Sequence, residues 1–110
     1  MNLMQKALVA LAALFIATPV FAQDGIASIY NSGYRTASGA RFNPGCVCAA
    51  SKTLPLGSHV RVRNLRTGRS IMVTINDRGP YVHGRIIDLT PAAASALGVH
   101  GLGKVRVAGG

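Results

Sequence analysis

Asp24, Asp77 and Asp88 are the only side-chain carboxylates in the 110 residues, and there is no glutamate. Asp24 lies near the expected mature terminus, so acid–base chemistry run on a carboxylate has to pass through Asp77 or Asp88. Both fall in one stretch, Asn76-Asp77-Arg78-Gly79-Pro80-Tyr81 followed by Gly84-Arg85-Ile86-Ile87-Asp88-Leu89. An acid where a strand breaks into a Gly-Pro turn is well placed as a catalytic or ligand group, because loops on a rigid scaffold carry function. Cys46 and Cys48 are the only cysteines. With no Cys or His pair at ligand spacing nearby, no metal site is expected. In an extended chain their Cα atoms would lie about 6.5–7 Å apart, at the edge of disulfide geometry. A strained disulfide, favoured in an oxidising compartment, and free, partly buried thiols both remain open.

The elements that must hold these groups are short. Gly25–Tyr30 alternates and contains β-branched and aromatic residues, as a first strand does. Residues 34–45 form a loop rich in Gly, Ser, Asn and Pro, long enough in so small a chain to point to function. Cys46–Ala50 reads as a second strand. His59–Asn64 and Ser70–Asn76 alternate cleanly, with Val60 and Val62 on one face, and Asn64 to Arg69 supplies the turn of a hairpin. Gly84–Leu89 is another strand, and Leu102–Val107 a last one. Thr90 to Gly98 is a short helix, with Thr90 as N-cap, Pro91 at the first position and Gly98 as C-cap. One helix against five or six short strands, with sheet edges to hide, points to a closed barrel.

Residues 1–22 read as a secretory signal peptide: a short basic start, an apolar run over Ala7–Ala17, and small residues before a cut ahead of Gln23. The run is shorter than the roughly 20 residues a membrane span needs. Neither a transmembrane span nor a lipid anchor is expected in the mature chain, because no Cys follows the cut. The product would be exported, periplasmic or extracellular. Residues 23–110 suffice for one small domain, read as a monomer. Without Lys6, eleven Lys and Arg face three Asp, a net charge of +8. That balance favours an anionic partner such as a cell-wall polymer. Nucleic acid is not expected, because export removes the protein from it and aromatic residues for stacking are few.

Taken together, Gly25-x-Ala27-Ser28-x-Tyr30, Thr36-Ala37-Ser38-Gly39, Ala49-Ala50-x-Lys52-Thr53-Leu54-Pro55-x-Gly57, Val60-x-Val62-x-Asn64-Leu65, Gly68-Arg69-Ser70, Asn76 to Pro80 and Gly84-Arg85-x-Ile87-Asp88-Leu89 resemble the rare lipoprotein A (RlpA) family. The order and spacing match over nearly all of residues 23–110. The resemblance implies a six-stranded double-psi β-barrel and lytic transglycosylase cleavage of peptidoglycan glycan strands, peptide-free strands preferred, with no cofactor. It leaves out a lipidation Cys and a C-terminal SPOR domain, so septal docking by those devices is not expected. In the family's pattern a glutamate follows Thr-Ala-Ser-Gly and a histidine follows Ala-Ala. Here Ala40 and Ser51 stand at those positions, and Asp77 is the site acid retained.

Glycoside hydrolysis normally takes two carboxylates. Lytic cleavage asks for less, since the C6 hydroxyl of the muramic acid is the nucleophile and one group can give and then take a proton. The expected catalytic residue is Asp77. Tyr30, Ser38, Ser51, Arg78, Tyr81 and Asp88 are expected to orient or hydrogen-bond the sugar. Asp88 also has a structural role open to it, tying down the start of the following helix. One of His59, His83 and His100 could stand in for the missing histidine. The alternative is a non-catalytic, expansin-like module that binds wall glycan, and a small secreted inhibitor on a barwin-like scaffold is a third class.

Overall fold

A computed structural model describes residues 21–30 and 36–109. The expected signal peptide lies outside these residues except for Phe21 and Ala22, and so do Tyr34 and Arg35 of the long loop. The strands are β1 (Phe21–Ile29), β2 (Cys48–Ala50), β3 (His59–Asn64), β4 (Ser70–Asp77), β5 (Arg85–Leu89) and β6 (Gly103–Gly109), with helix α1 (Pro91–Leu97) between β5 and β6. They close into a barrel in the order β1-β5-β2-β4-β3-β6. The pairs β1–β5 and β2–β4 run parallel and the rest antiparallel. Closure leaves no open sheet edge, the liability the sequence had to manage.

Alternation along the strands fills the interior. In β3, Val60, Val62 and Asn64 are buried while His59, Arg61 and Arg63 are exposed, so the basic residues line the outside. Ile75, Ile87, Leu89, Val105 and the helix residues Ala93 and Leu97 complete one continuous core. Each large aliphatic side chain buried in this way stabilises the fold by about 1.5–3 kcal/mol.

The helix begins and ends at the expected residues. The Thr90 hydroxyl accepts from Ala93 N at 3.2 Å, and Gly98 closes it at φ 77°, the left-handed conformation glycine adopts without cost. β1 starts earlier than expected, because Phe21 to Gly25 pair with β6. The second strand is shorter: Cys46 lies in a bend and only Cys48–Ala50 is extended. That bend brings the Cys46 and Cys48 Cα atoms to 5.3 Å, inside disulfide range, and the two are bonded.

Candidate active site

The barrel's pairing places the two acids in one row. Ser28 of β1 faces Asp88 of β5, Asp88 faces Ala50 of β2, and Ala50 faces Asp77 of β4. With strands about 4.8 Å apart, the Asp77 and Asp88 backbones are separated by roughly 10 Å, with Ala50 between them in the register. Both acidic strands carry an irregularity just before the acid. The register skips Asn76 between Ile75 and Asp77, and Ile86 between Arg85 and Ile87. An extra residue bends the strand and re-aims the side chain that follows it.

Asp77 ties the neighbouring loops together. Its Oδ1 accepts from Ala37 N and from Arg78 N, each at 2.8 Å. Its Oδ2 takes no hydrogen bond from the described residues. The 36–40 loop closes on itself through Thr36 N to Ala40 O at 2.7 Å, and Ser38 N donates to Asn76 O at 3.1 Å. Ser38 itself is exposed and shares a hydroxyl contact with Thr36 at 2.8 Å. Ala40 therefore sits in the loop that Asp77 anchors, and it is exposed.

Ser51 and Arg78 hold the opposite wall. The Ser51 hydroxyl is buried and accepts from Thr53 N at 3.3 Å and Leu54 N at 3.1 Å. Its backbone N–H donates to Asp77 O at 3.1 Å. Arg78 turns away from the acids: Nη1 donates to Ser51 O at 3.0 Å and to Leu54 O at 2.7 Å. Among the described residues the only ion pair is exposed and remote, Arg106 with Asp24 at 2.7 Å. Ser51, expected to contact sugar, thus has its hydroxyl committed to its own loop.

Asp88 does not cap the helix, which is Thr90's work. It accepts from Ser28 Oγ at 3.2 Å instead. Burial holds its carboxyl above the usual aspartate range, the Ser28 bond and Arg85 pull the other way, and the charge of Asp77 pushes it up further. Tyr30 senses both acids. Its phenol is pushed up to about 12, first by burial and then by Asp77 and Asp88. The Tyr30 ring packs on Phe42 at 4.9 Å between centroids, and its buried hydroxyl has no partner among the described residues. The Asn76 side-chain oxygen is buried and unpartnered too. Buried polar atoms normally find a partner, so two without one among the described residues, beside one acid pair, are a mark of a functional site.

Tyr81 follows the turn at Gly79, whose φ of 128° excludes most side chains, and it is 77% exposed. His59 is engaged with Thr74 at 3.0 Å, and His83 and His100 are exposed. Sequence reasoning missed Ser28 as the partner of Asp88 and Ala50 as the spacer. The alternation of Ser28 with Tyr30 along β1 was the available signal for the first, while Ala50 had none.

The family model described as lytic transglycolase matches residues 22–108. The probable endolytic peptidoglycan transglycosylase RlpA of Synechocystis sp. is 53% identical over 89 residues, covering 78% of this chain and 28% of that protein. The endolytic peptidoglycan transglycosylase RlpA of Pasteurella multocida is 54% identical over 92 residues, covering 79% of this chain and 31% of that protein. The chain therefore spans less than a third of the length of these relatives. Among solved structures, the Streptomyces papain inhibitor (SPI) superposes with a TM-score of 0.62 at 22% identity, covering 84% of this chain and 97% of that one, a likeness of fold. The chain belongs to the lytic transglycolase family and folds as its RlpA-type double-psi β-barrel.

Proposed function

We propose that the chain is an exported endolytic transglycosylase that cleaves peptidoglycan glycan strands to 1,6-anhydro-muramyl ends. The observation that carries this reading is the Asp77–Ala50–Asp88 row, in a chain about half identical to enzymes named for that reaction. Asp77 acts as general acid and base, and Asp88 is the neighbouring carboxyl, which burial holds above the usual aspartate range. The C1–O4 bond breaks as Asp77 gives a proton to the leaving O4. The C6 hydroxyl then closes on C1 and returns its own proton to Asp77, so no water is consumed. Proton transfer of this kind is worth about 10²–10⁴ in rate.

In this reading Tyr30, Tyr81 and Ser38 meet sugar hydroxyls, while Ser51 and Arg78 hold the loop that flanks Asp77. The test is incubation with peptide-stripped glycan strands and mass spectrometry for anhydro ends. Wild-type protein should generate them and Asp77→Asn should not. Glycan retention without such ends would make the chain a wall-binding module instead.

A further inference from the structure

The alternation that buries Val60, Val62, Val105 and Val107 turns the residues between them to the outside of β3 and β6, and most of those are cationic. Strand pairing sets them in rows across the barrel wall. Ser70, Arg63, Arg106 and Asp24 form one row, and Arg61 stands beside Met72 and Ala108 in the next. Just past the end of β3, Leu65 N donates to Lys104 O at 3.0 Å, which sets Leu65 beside β6. Leu65, Arg66, Leu102 and Lys104 are among the residues lining a cavity of about 430 Å³ at this end. Both leucines are exposed, Leu65 to 39% and Leu102 to 59%. Among the described residues Asp24 is the one acid on this face, and Arg106 takes it at 2.7 Å. Arg61, Arg63, Arg66 and Lys104 form no ion pair with a described residue.

We propose that this corner of the barrel is a docking surface for an anionic phospholipid bilayer. Charge and apolarity together select that partner. A linear polyanion would meet the cations and leave Leu65 and Leu102 in water. A bilayer interface takes both: lipid phosphates meet Arg63, Arg66 and Lys104, and the leucine tips enter among the uppermost acyl carbons. The aliphatic stems of Arg66 and Lys104 follow the same boundary, with their charged heads at the level of the phosphates. The cavity lies within the range of about 300–1,000 Å³ typical of small-ligand sites, room enough for one headgroup. None of the three aspartates lines it. Asp77, at the other end of β4, is roughly 23 Å along the strand from Ser70. A barrel seated on lipid by this corner therefore keeps its carboxylate row out of the headgroup layer. The proposal goes beyond the glycan-cleaving reading and does not depend on it.

The test is co-sedimentation with mixed phosphatidylglycerol–phosphatidylcholine vesicles and with vesicles of phosphatidylcholine alone. The protein should pellet with the first and not with the second, and added salt should release it. The Arg66→Gln/Lys104→Gln double variant should partition about thirtyfold more weakly. Leu102→Ser, at an exposed position outside the core, should weaken partitioning several-fold. Should the double variant fail to fold, Leu102→Ser decides alone. Spin-labelled lipid in anionic bicelles should broaden the amide signals of Leu65, Leu102 and Lys104 more than those of Asp77 and Asp88. No pelleting with anionic vesicles, equal pelleting with both kinds, or broadening centred on the two acids would each overturn the proposal. Binding that Leu102→Ser leaves unchanged would overturn it in favour of a linear polyanion.

Discussion

Asn64, where β3 turns towards β4, and the carboxylate row at the far end of β4 are opposite cases of buried polarity. Asn64 is 3% exposed and fully used: its side chain ties Leu97 O and Arg66 N, and its backbone closes the Gly68–Arg69 turn. At the other end, roughly 23 Å away along the strand, Tyr30 and Asn76 each bury a polar atom without a partner among the described residues. There, burial first and the neighbouring acid charges after it raise Asp88 and the Tyr30 phenol. The first end is consistent with its sequence at every level, and the second breaks local rules in several places at once. Such violations belong where binding or chemistry repays them.

The largest effect that separates the two ends should come from Asp77→Asn. The substitution keeps the shape of the side chain and an acceptor for Ala37 N and Arg78 N. Anhydro-end formation should fall by about 10²–10⁴, while the thermal midpoint moves little. Unfolding of the variant would mean that Asp77 is a loop anchor first and a catalyst second.

Asn64→Ala should do the reverse. It leaves Leu97 O and Arg66 N without their side-chain partner in a buried setting. A loss of about 2–3 kcal/mol is expected, read as a lowered denaturant midpoint with an unchanged slope. Activity per folded molecule should be retained. Reduced activity in fully folded protein would show that the ends are coupled.

A smaller effect of opposite sign is expected from Tyr30→Phe. Removing a buried hydroxyl that has no partner among the described residues relieves a desolvation cost. The variant should be as stable as wild type or more stable by up to about 1 kcal/mol. The KM for glycan should rise if that hydroxyl meets sugar. Clear destabilisation with unchanged KM would remove Tyr30 from the site.

How far these features could be read from the sequence differs between the same two regions. The β3–β4 hairpin, the caps Thr90 and Gly98, and the inward face of Val60, Val62, Val105 and Val107 follow from alternation and turn chemistry, which are local. The closed barrel followed from strand count and the need to hide edges, and its double-psi order from family resemblance. The parallel pairings β1–β5 and β2–β4 join residues far apart in the chain, which periodicity cannot specify. Asp77 was legible as an acid at a strand end, but the role of Asp88 was not. Its neighbour Thr90 looked equally able to cap the helix, and only the register shows that Asp88 faces Ser28 and Ala50 instead. Arg78, adjacent to Asp77 in sequence, could have turned towards it. The carbonyls of Ser51 and Leu54 take its guanidinium instead.

Asp88→Asn tests the electrostatic half of the comparison, with the smallest expected change. Burial raises the folded-state value of Asp88 above its ordinary 3.8, so between those two values the folded protein binds more protons than the unfolded chain. Stability contributed at this position therefore falls as pH rises from about 4 through the raised value, and is level above it. The opposite sign holds at Asp24, whose lowered value makes its contribution with Arg106 disappear only as pH falls below the ordinary range. Asp88 is only partly buried and water screens it, so the slope should be shallow. Thermal midpoints of wild type and Asp88→Asn should accordingly converge near pH 4 and separate in favour of the variant as pH rises. Parallel curves would mean that Asp88 ionises as freely as a surface aspartate.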